Sequence, residues 1–483
     1  MNFYSLAVSV SSVTLFALPG SAATFTYAFD VIAATEESAG PGLWTGLGTP
    51  VINDAGQIAF AGAVDFADGR GERQVAVRTE GTGAFTFLAV EGEAAPGSVG
   101  ETYGQLFGAQ INEAGDVAWR TTLSGTPFAL DDAIYVSDGD AAAPIFRGVS
   151  VVFGAFRQTI TDPFSFDGFA GLTPVLTEAG DVIHLRNTLI ERPGERFESF
   201  QDLLLERADG TSVTMLREGD PLPNGLETRF SPREAYLAGD VLSVSVRMTD
   251  PATGMDAGAA LLRFDVADPS APPVILFEED DFETSSVGGR PFGLGLNAAV
   301  GADGRIISPG GLGGPFAQAL FDLTDPSDPA VLLAGGDLVA PGRRIGDFAF
   351  EKVTLNASGQ IAFFGSTDFS RTPSGFAGLI DVDGDVSPIW ERFTGVETTD
   401  GRSLDFVISL GARNYLNDSG EVVFTVNHLR DDGTFQGLIV RGRPTLVDGP
   451  PVAPVPLPAG IGLLGLSLAF LAGLSRRGPV RRT

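Results

Sequence analysis

The sequence predicts an all-β protein, a seven-bladed β-propeller of four-stranded antiparallel blades, on three observations. A tight turn closing on glycine recurs seven times, at Gly56, Gly115, Gly180, Gly239, Gly304, Gly359 and Gly420, with 55 to 65 residues between copies. Such self-similarity at a fixed period is the primary sign of a repeat architecture. After each glycine the pattern alternates: a polar residue, then a β-branched one. The second observation is therefore a half-buried strand at the same place in every unit. The third is composition: 63 Gly and 31 Pro in 483 residues, with 43% apolar residues, suit a turn-rich β protein with a large core.

Each position of the unit has a physical role. Asn53, Asn112, Thr177, Asn356 and Asn417 open the turn through a side-chain oxygen, and the glycine three places on supplies positive φ. Ile58, Val117, Val182, Val241, Ile306, Ile361 and Val422 begin the strand. Phe60, Trp119, Phe363 and Phe424 fall two places later and share its face, against a neighbouring unit. A second strand follows, as at 75–78, 133–136, 260–263 and 378–381, then an Asp/Gly/Pro turn and a third strand. A Phe-rich fourth segment, containing Phe107 or Phe348, leads to the next turn. Four short strands in about 60 residues suit one propeller blade. An open β-solenoid is the weaker alternative, since its coils run to about 20–45 residues.

Closure of the ring is expected at the chain's ends. The last unit shows two clear strands, at 422–424 and 437–440. The segments 25–32 and 39–44 read as a third and fourth strand without the first two, so both are expected to complete the seventh blade.

The two ends also read as addresses. An apolar stretch from Leu6 to Leu18, then Pro19, Gly20 and the small residues Ser21, Ala22 and Ala23, predict a signal peptide over 1–23. No Lys or Arg precedes the apolar stretch, and a buried first strand is the alternative. Residues 24–447 then form the propeller and 448–458 a Pro-rich linker. The apolar run from Ala459 to Leu474 predicts a transmembrane helix over 459–475, and the basic tail 476–483 is expected on the cytoplasmic side. Sixteen helical residues reach roughly 24 Å, somewhat short of a roughly 30 Å hydrocarbon core, and the arginines can snorkel.

Val455, Pro456, Leu457, Pro458 and Ala459, followed by the apolar run and Arg476 and Arg477, resemble the VPLPA-CTERM variant of the bacterial PEP-CTERM sorting signals. That resemblance implies recognition by an exosortase-type processing enzyme in a Gram-negative cell. It implies an inner-membrane anchor facing the periplasm, then a cell-surface or extracellular destination. A plain membrane anchor is the alternative. The repeats resemble the tandem NxxGxxAF-repeat proteins on Asn53, Gly56, Ala59 and Phe60, and on their counterparts in units two, six and seven. Units three to five depart from it, with Thr177, Tyr236 and Gly301 in place of Asn. The resemblance implies a fold and a destination and no chemistry.

What is absent narrows the function. With no Cys, a thiol nucleophile, a disulfide framework and a Cys-ligated metal are excluded. Two His, His184 and His428, cannot make a three-His centre, and no Gly-x-Ser-x-Gly elbow occurs. A net charge near −30 argues against nucleic acid and against an anionic membrane surface. Asp381, Asp383 and Asp385 are the weak candidates for a calcium loop, although the intervening glycine stands at the fourth place and not the sixth; a plain hairpin is the alternative. Glu278, Glu279, Asp280 and Asp281 read as a solvated blade edge. His184, at an aromatic position, is expected to pack, and His428 to lie on a loop surface. No cofactor and no catalytic residue is assigned. The expectation is a non-enzymatic surface or matrix protein binding a polysaccharide or surface protein through loops of one face; the alternative is a secreted polymer hydrolase.

Overall fold

The computed structural model describes residues 25–446, apart from short internal stretches of which 149–158 and 165–173 are the longest. The signal, linker, sorting motif and apolar C-terminal run all lie outside the described residues. Among the described residues no helix is long and apolar enough to cross a membrane.

Among the described residues the strands assemble into seven antiparallel sheets with four strands on the main path, the blades of a β-propeller; three of them carry a short fifth strand, and two two-stranded ribbons stand apart. The first pairs Gly42–Leu47, Ile58–Phe66, Gly71–Thr79 and Phe85–Val90 in sequence order. The second uses Thr102–Ile111, Val117–Ser124, Asp131–Ser137 and Ala142–Arg147. The next four repeat this plan, with second strands at Val182–Ile190, Val241–Thr249, Ile306–Gly311 and Ile361–Gly365.

Two expectations are corrected here. The segment containing Phe107 does not end its own unit; it pairs with Val117–Ser124 as the first strand of the following blade. The blades are thus shifted by one strand from the Asn-to-Asn units, because the turn glycine joins the first and second strands of one sheet. The seventh blade is closed by one N-terminal strand and not two. Strand β1 (Phe25–Ala34) completes the order Phe406–Ser409, Val422–Leu429, Phe435–Leu446, β1, whereas β2 (Gly42–Leu47) opens the first blade. Sequence reading missed Phe406–Ser409, too short and too weakly patterned to stand out.

The core lies between blades. Strand residues alternate in direction, so each sheet has two apolar faces. Val117 and Trp119 of the second blade pack with Val51, Ala59, Ala76 and Ala89 of the first. Phe424 of the seventh packs with Phe364 and Trp390 of the sixth and with Phe29 of β1. Phe60, Trp119, Phe363 and Phe424 are fully buried, and burying each side chain stabilises by about 1.5–3 kcal/mol.

Candidate functional site at the axial turns and the closing seam

The repeated turn is built by one side chain. Asn53 Oδ1 accepts the Gln57 N–H at 2.9 Å, while the Gly56 N–H, at φ +78°, bonds to the Asn53 carbonyl at 2.9 Å. The amide Nδ2 donates to Gln57 Oε1 at 2.8 Å and also into the next blade, to the Asn112 carbonyl at 2.9 Å. Asn112 donates to the Thr177 carbonyl (3.1 Å), Asn356 to the Asn417 carbonyl (2.8 Å), and Asn417 to the Asn53 carbonyl (3.3 Å). Thr177 keeps the local half of this arrangement: its Oγ1 accepts the Asp181 N–H at 3.0 Å. Its lone hydroxyl lacks the second nitrogen donor that an amide offers. Tyr236 instead buries its ring in the cluster shared by blades five and six.

A second stitch runs beside the first. The Ala357 N–H donates to the Asp418 carboxylate (2.7 Å), Asp418 N–H to Asp54 (2.6 Å), Asp54 N–H to Glu113 (2.8 Å) and Glu113 N–H to Glu178 (2.9 Å). Four carboxylates therefore stand side by side on blades seven, one, two and three. The corresponding positions on blades four to six are Leu237, Ala302 and Ala357. Glu113 is pushed up to about 7 by desolvation and, against the lowering backbone bond from Asp54, by the charges of Asp54, Glu178 and Asp418. Asp54 is raised too, first by desolvation and, against the lowering backbone bond from Asp418, by the charge of that neighbour. Among the described residues no Arg, Lys or His forms an ion pair with any of the four, and no group of three or more His, Asp or Glu is placed to hold a metal.

Arginines secure the same turns from behind. Arg78 donates to the Gly115 carbonyl at 2.6 Å, and Arg305 to the Gly359 carbonyl at 3.0 Å. Arg441, held by Glu421 through two contacts of 2.8 Å, reaches the Gly56 carbonyl at 3.5 Å. A Cβ on Gly56 would stand 2.7 Å from the Arg441 guanidinium. The remaining turn glycines also have positive φ, from +56° at Gly239 to +87° at Gly115 and Gly304.

The other candidates separate in space. Asp381 caps its own hairpin, its Oδ1 accepting the Asp383 and Asp385 N–H groups at 3.0 Å each, with Gly384 at φ +88°. Glu278 accepts from Asn224 at 3.0 Å, while Glu279, Asp280 and Asp281 lie outside the described residues. His184 is fully buried, 4.4 Å from the Phe146 ring centroid and 3.4 Å from Glu206.

His428 sits in a cluster that sequence reading missed. Its Nδ1 lies 3.0 Å from Ser403 Oγ, 3.1 Å from the Ser403 carbonyl and 4.0 Å from Asp405. Ser403 Oγ donates to Asp405 at 2.7 Å. One imidazole nitrogen faces all three partners, so nothing relays a proton from serine through histidine to carboxylate. Residues 25 positions apart carry no sequence signal of this meeting.

The closing seam opens a cleft of about 450 Å³ between the seventh and first blades. Its walls include Thr35 and Glu36 just after β1, Trp44 and Thr45 of β2, and Thr425, Asn427 and Phe435 of the seventh blade. Phe435 follows the hairpin at the end of its sheet opposite the Gly420 turn.

The fold and these stitches define a closed seven-bladed propeller sealed by three strands from one end of the chain and one from the other. Residues 23–238 match a family model described as a family of unknown function, DUF7453. No curated protein matches the chain. Among solved structures it is similar to an oligogalacturonate lyase in complex with manganese, at 11% identity and a TM-score of 0.43, covering 88% of this chain and 97% of that one. It is similar also to Pyrococcus horikoshii acylaminoacyl peptidase, at 10% identity and a TM-score of 0.45, covering 83% of this chain and 52% of that one. A Trypanosoma rangeli sialidase in complex with the inhibitor DANA gives 10% and 0.36, covering 86% and 58%. The chain thus spans about half the length of the peptidase and the sialidase. Likenesses this distant carry no reaction or ligand across.

Proposed function

We propose that the protein is an exported, non-enzymatic propeller that is displayed at the cell surface or in the extracellular matrix and binds a partner there. The observation that carries this reading is the use made of the axial carboxylates. Asp418, Asp54, Glu113 and Glu178 each accept a backbone N–H from the preceding blade, and among the described residues no Arg, Lys or His forms an ion pair with them. The most regular chemistry in the chain is spent on holding the blades together. The sorting reading rests on Val455 to Ala459, the apolar run and the terminal arginines. In it an exosortase-type enzyme processes the chain after export and frees it from the inner membrane.

The test is fractionation of cells with and without the processing enzyme, together with binding and hydrolysis assays of the full chain on a polysaccharide panel. Retention in the inner membrane without the enzyme, and binding without new reducing ends, are the expected results. Release of reducing ends would establish the hydrolase alternative instead.

A further inference from the structure

We infer that the cleft between the first and seventh blades binds a neutral, hydroxyl-rich ligand: a sugar unit of a neutral polysaccharide. This rests on the binding reading above and gives it a place and a ligand class. The volume, about 450 Å³, falls within the range of about 300–1,000 Å³ usual for small-ligand sites.

Two polar side chains of the cleft are uncommitted, whereas the Thr425 hydroxyl already donates to the Gly48 carbonyl at 2.9 Å. Asn427 and Thr45 make no side-chain hydrogen bond among the described residues, so an amide and a hydroxyl are available to a ligand. Trp44 closes the inner end of the cleft as a buried ring packed on Phe60 and Phe85. Thr35 Oγ1 accepts the Gly437 N–H at 3.0 Å, which leaves its own proton to donate. Beside these groups the Phe435 ring is 54% exposed, a flat apolar wall of the kind against which the C–H face of a sugar ring packs.

Charge selects among such ligands. The one formal charge in the cleft, Glu36, is neutralised by Arg430 at 2.6 Å. A chain with net charge near −30 repels acidic polymers. Neutral hydroxyls paired with Asn and Thr groups meet neither obstacle.

The experiment probes the full chain, held in a non-glycosidic detergent, against immobilised neutral glucans, mannans and xylans, with alginate, polygalacturonate and a peptide panel alongside. Binding to a neutral glycan is expected, weakened about tenfold or more by Asn427→Ala and by Phe435→Ala. Val382→Ala, exposed on a turn outside the cleft, should leave it unchanged, and an unaltered thermal midpoint should show that each variant folds. Neutral-glycan binding that survives both substitutions would overturn the cleft and leave the binding reading standing. Binding confined to acidic glycans or peptides would overturn the ligand class. No binding to any probe would overturn this inference and the binding reading together.

Discussion

Asn417 donates from Nδ2 to the carbonyl of Asn53 at 3.3 Å, across 364 positions of sequence, and one residue further on the Asp418 N–H meets the Asp54 carboxylate at 2.6 Å. The last repeat is thereby joined to the first by the same pair of bonds that joins the first to the second. The ring is closed twice, once by β1 at its rim and once at its axis.

Breaking the axial closure should cost stability without altering the fold. Asn417→Ala removes the bond to Asn53 and leaves the Glu421 N–H without its side-chain acceptor, for about 1–3 kcal/mol. Asn417→Thr, copying Thr177, should restore the local bond and recover part of that loss. Chemical denaturation midpoints of the three proteins check the order.

Two glycines of the same motif should respond differently to alanine. Gly304 has φ +87° and open space around it, so Gly304→Ala carries only the left-handed backbone cost of about 1–2 kcal/mol. Gly56→Ala adds a contact at 2.7 Å with Arg441 and should be more destabilising. Arg441→Ala in the Gly56→Ala background should recover the steric part, which a double-mutant cycle measures.

Stability should fall from pH 5 to pH 8 through the carboxylate row. Glu113 is pushed up to about 7 by desolvation and by Asp54, Glu178 and Asp418. A carboxyl raised in the folded state contributes stability that is fully present below its unfolded value and is lost as pH rises through its folded value. Glu113 opens to solvent, so screening holds the effect to about 1 kcal/mol or less. Glu113→Gln keeps the acceptor for the Asp54 N–H and should flatten the loss. Glu72→Gln, which removes an exposed charge elsewhere, should retain it; thermal midpoints from pH 5 to pH 8 separate the two.

Deleting residues 25–34 should turn the closed ring into an associating one. Without β1 the strand Phe435–Leu446 becomes an edge with unpaired backbone groups. The ion pair Arg443–Asp30 is removed with the strand, and the pairs Arg430–Glu36 and Arg402–Glu37 just beyond it lose the strand that anchors their carboxylates. Size-exclusion chromatography should show dimers or larger species, and addition of a peptide spanning 25–34 should reduce them.

Much of this architecture was legible in the residues themselves. Asn53, Gly56 and Ile58 with their six counterparts announced the number of blades, since a tight turn and an alternating strand are local events governed by a few neighbouring dihedrals. The turn acids gave no such notice. Asp54, Glu113, Glu178 and Asp418 are ordinary surface residues in one dimension, and only the ring's curvature sets each against a backbone N–H of another blade. Likewise the blade boundary, the single closing strand, the meeting of Ser403 with His428 and the cleft beside Phe435 came from packing. Short-range sterics specify a strand and its turn, whereas pairing between segments hundreds of residues apart is decided by burial and hydrogen-bond satisfaction in the closed ring.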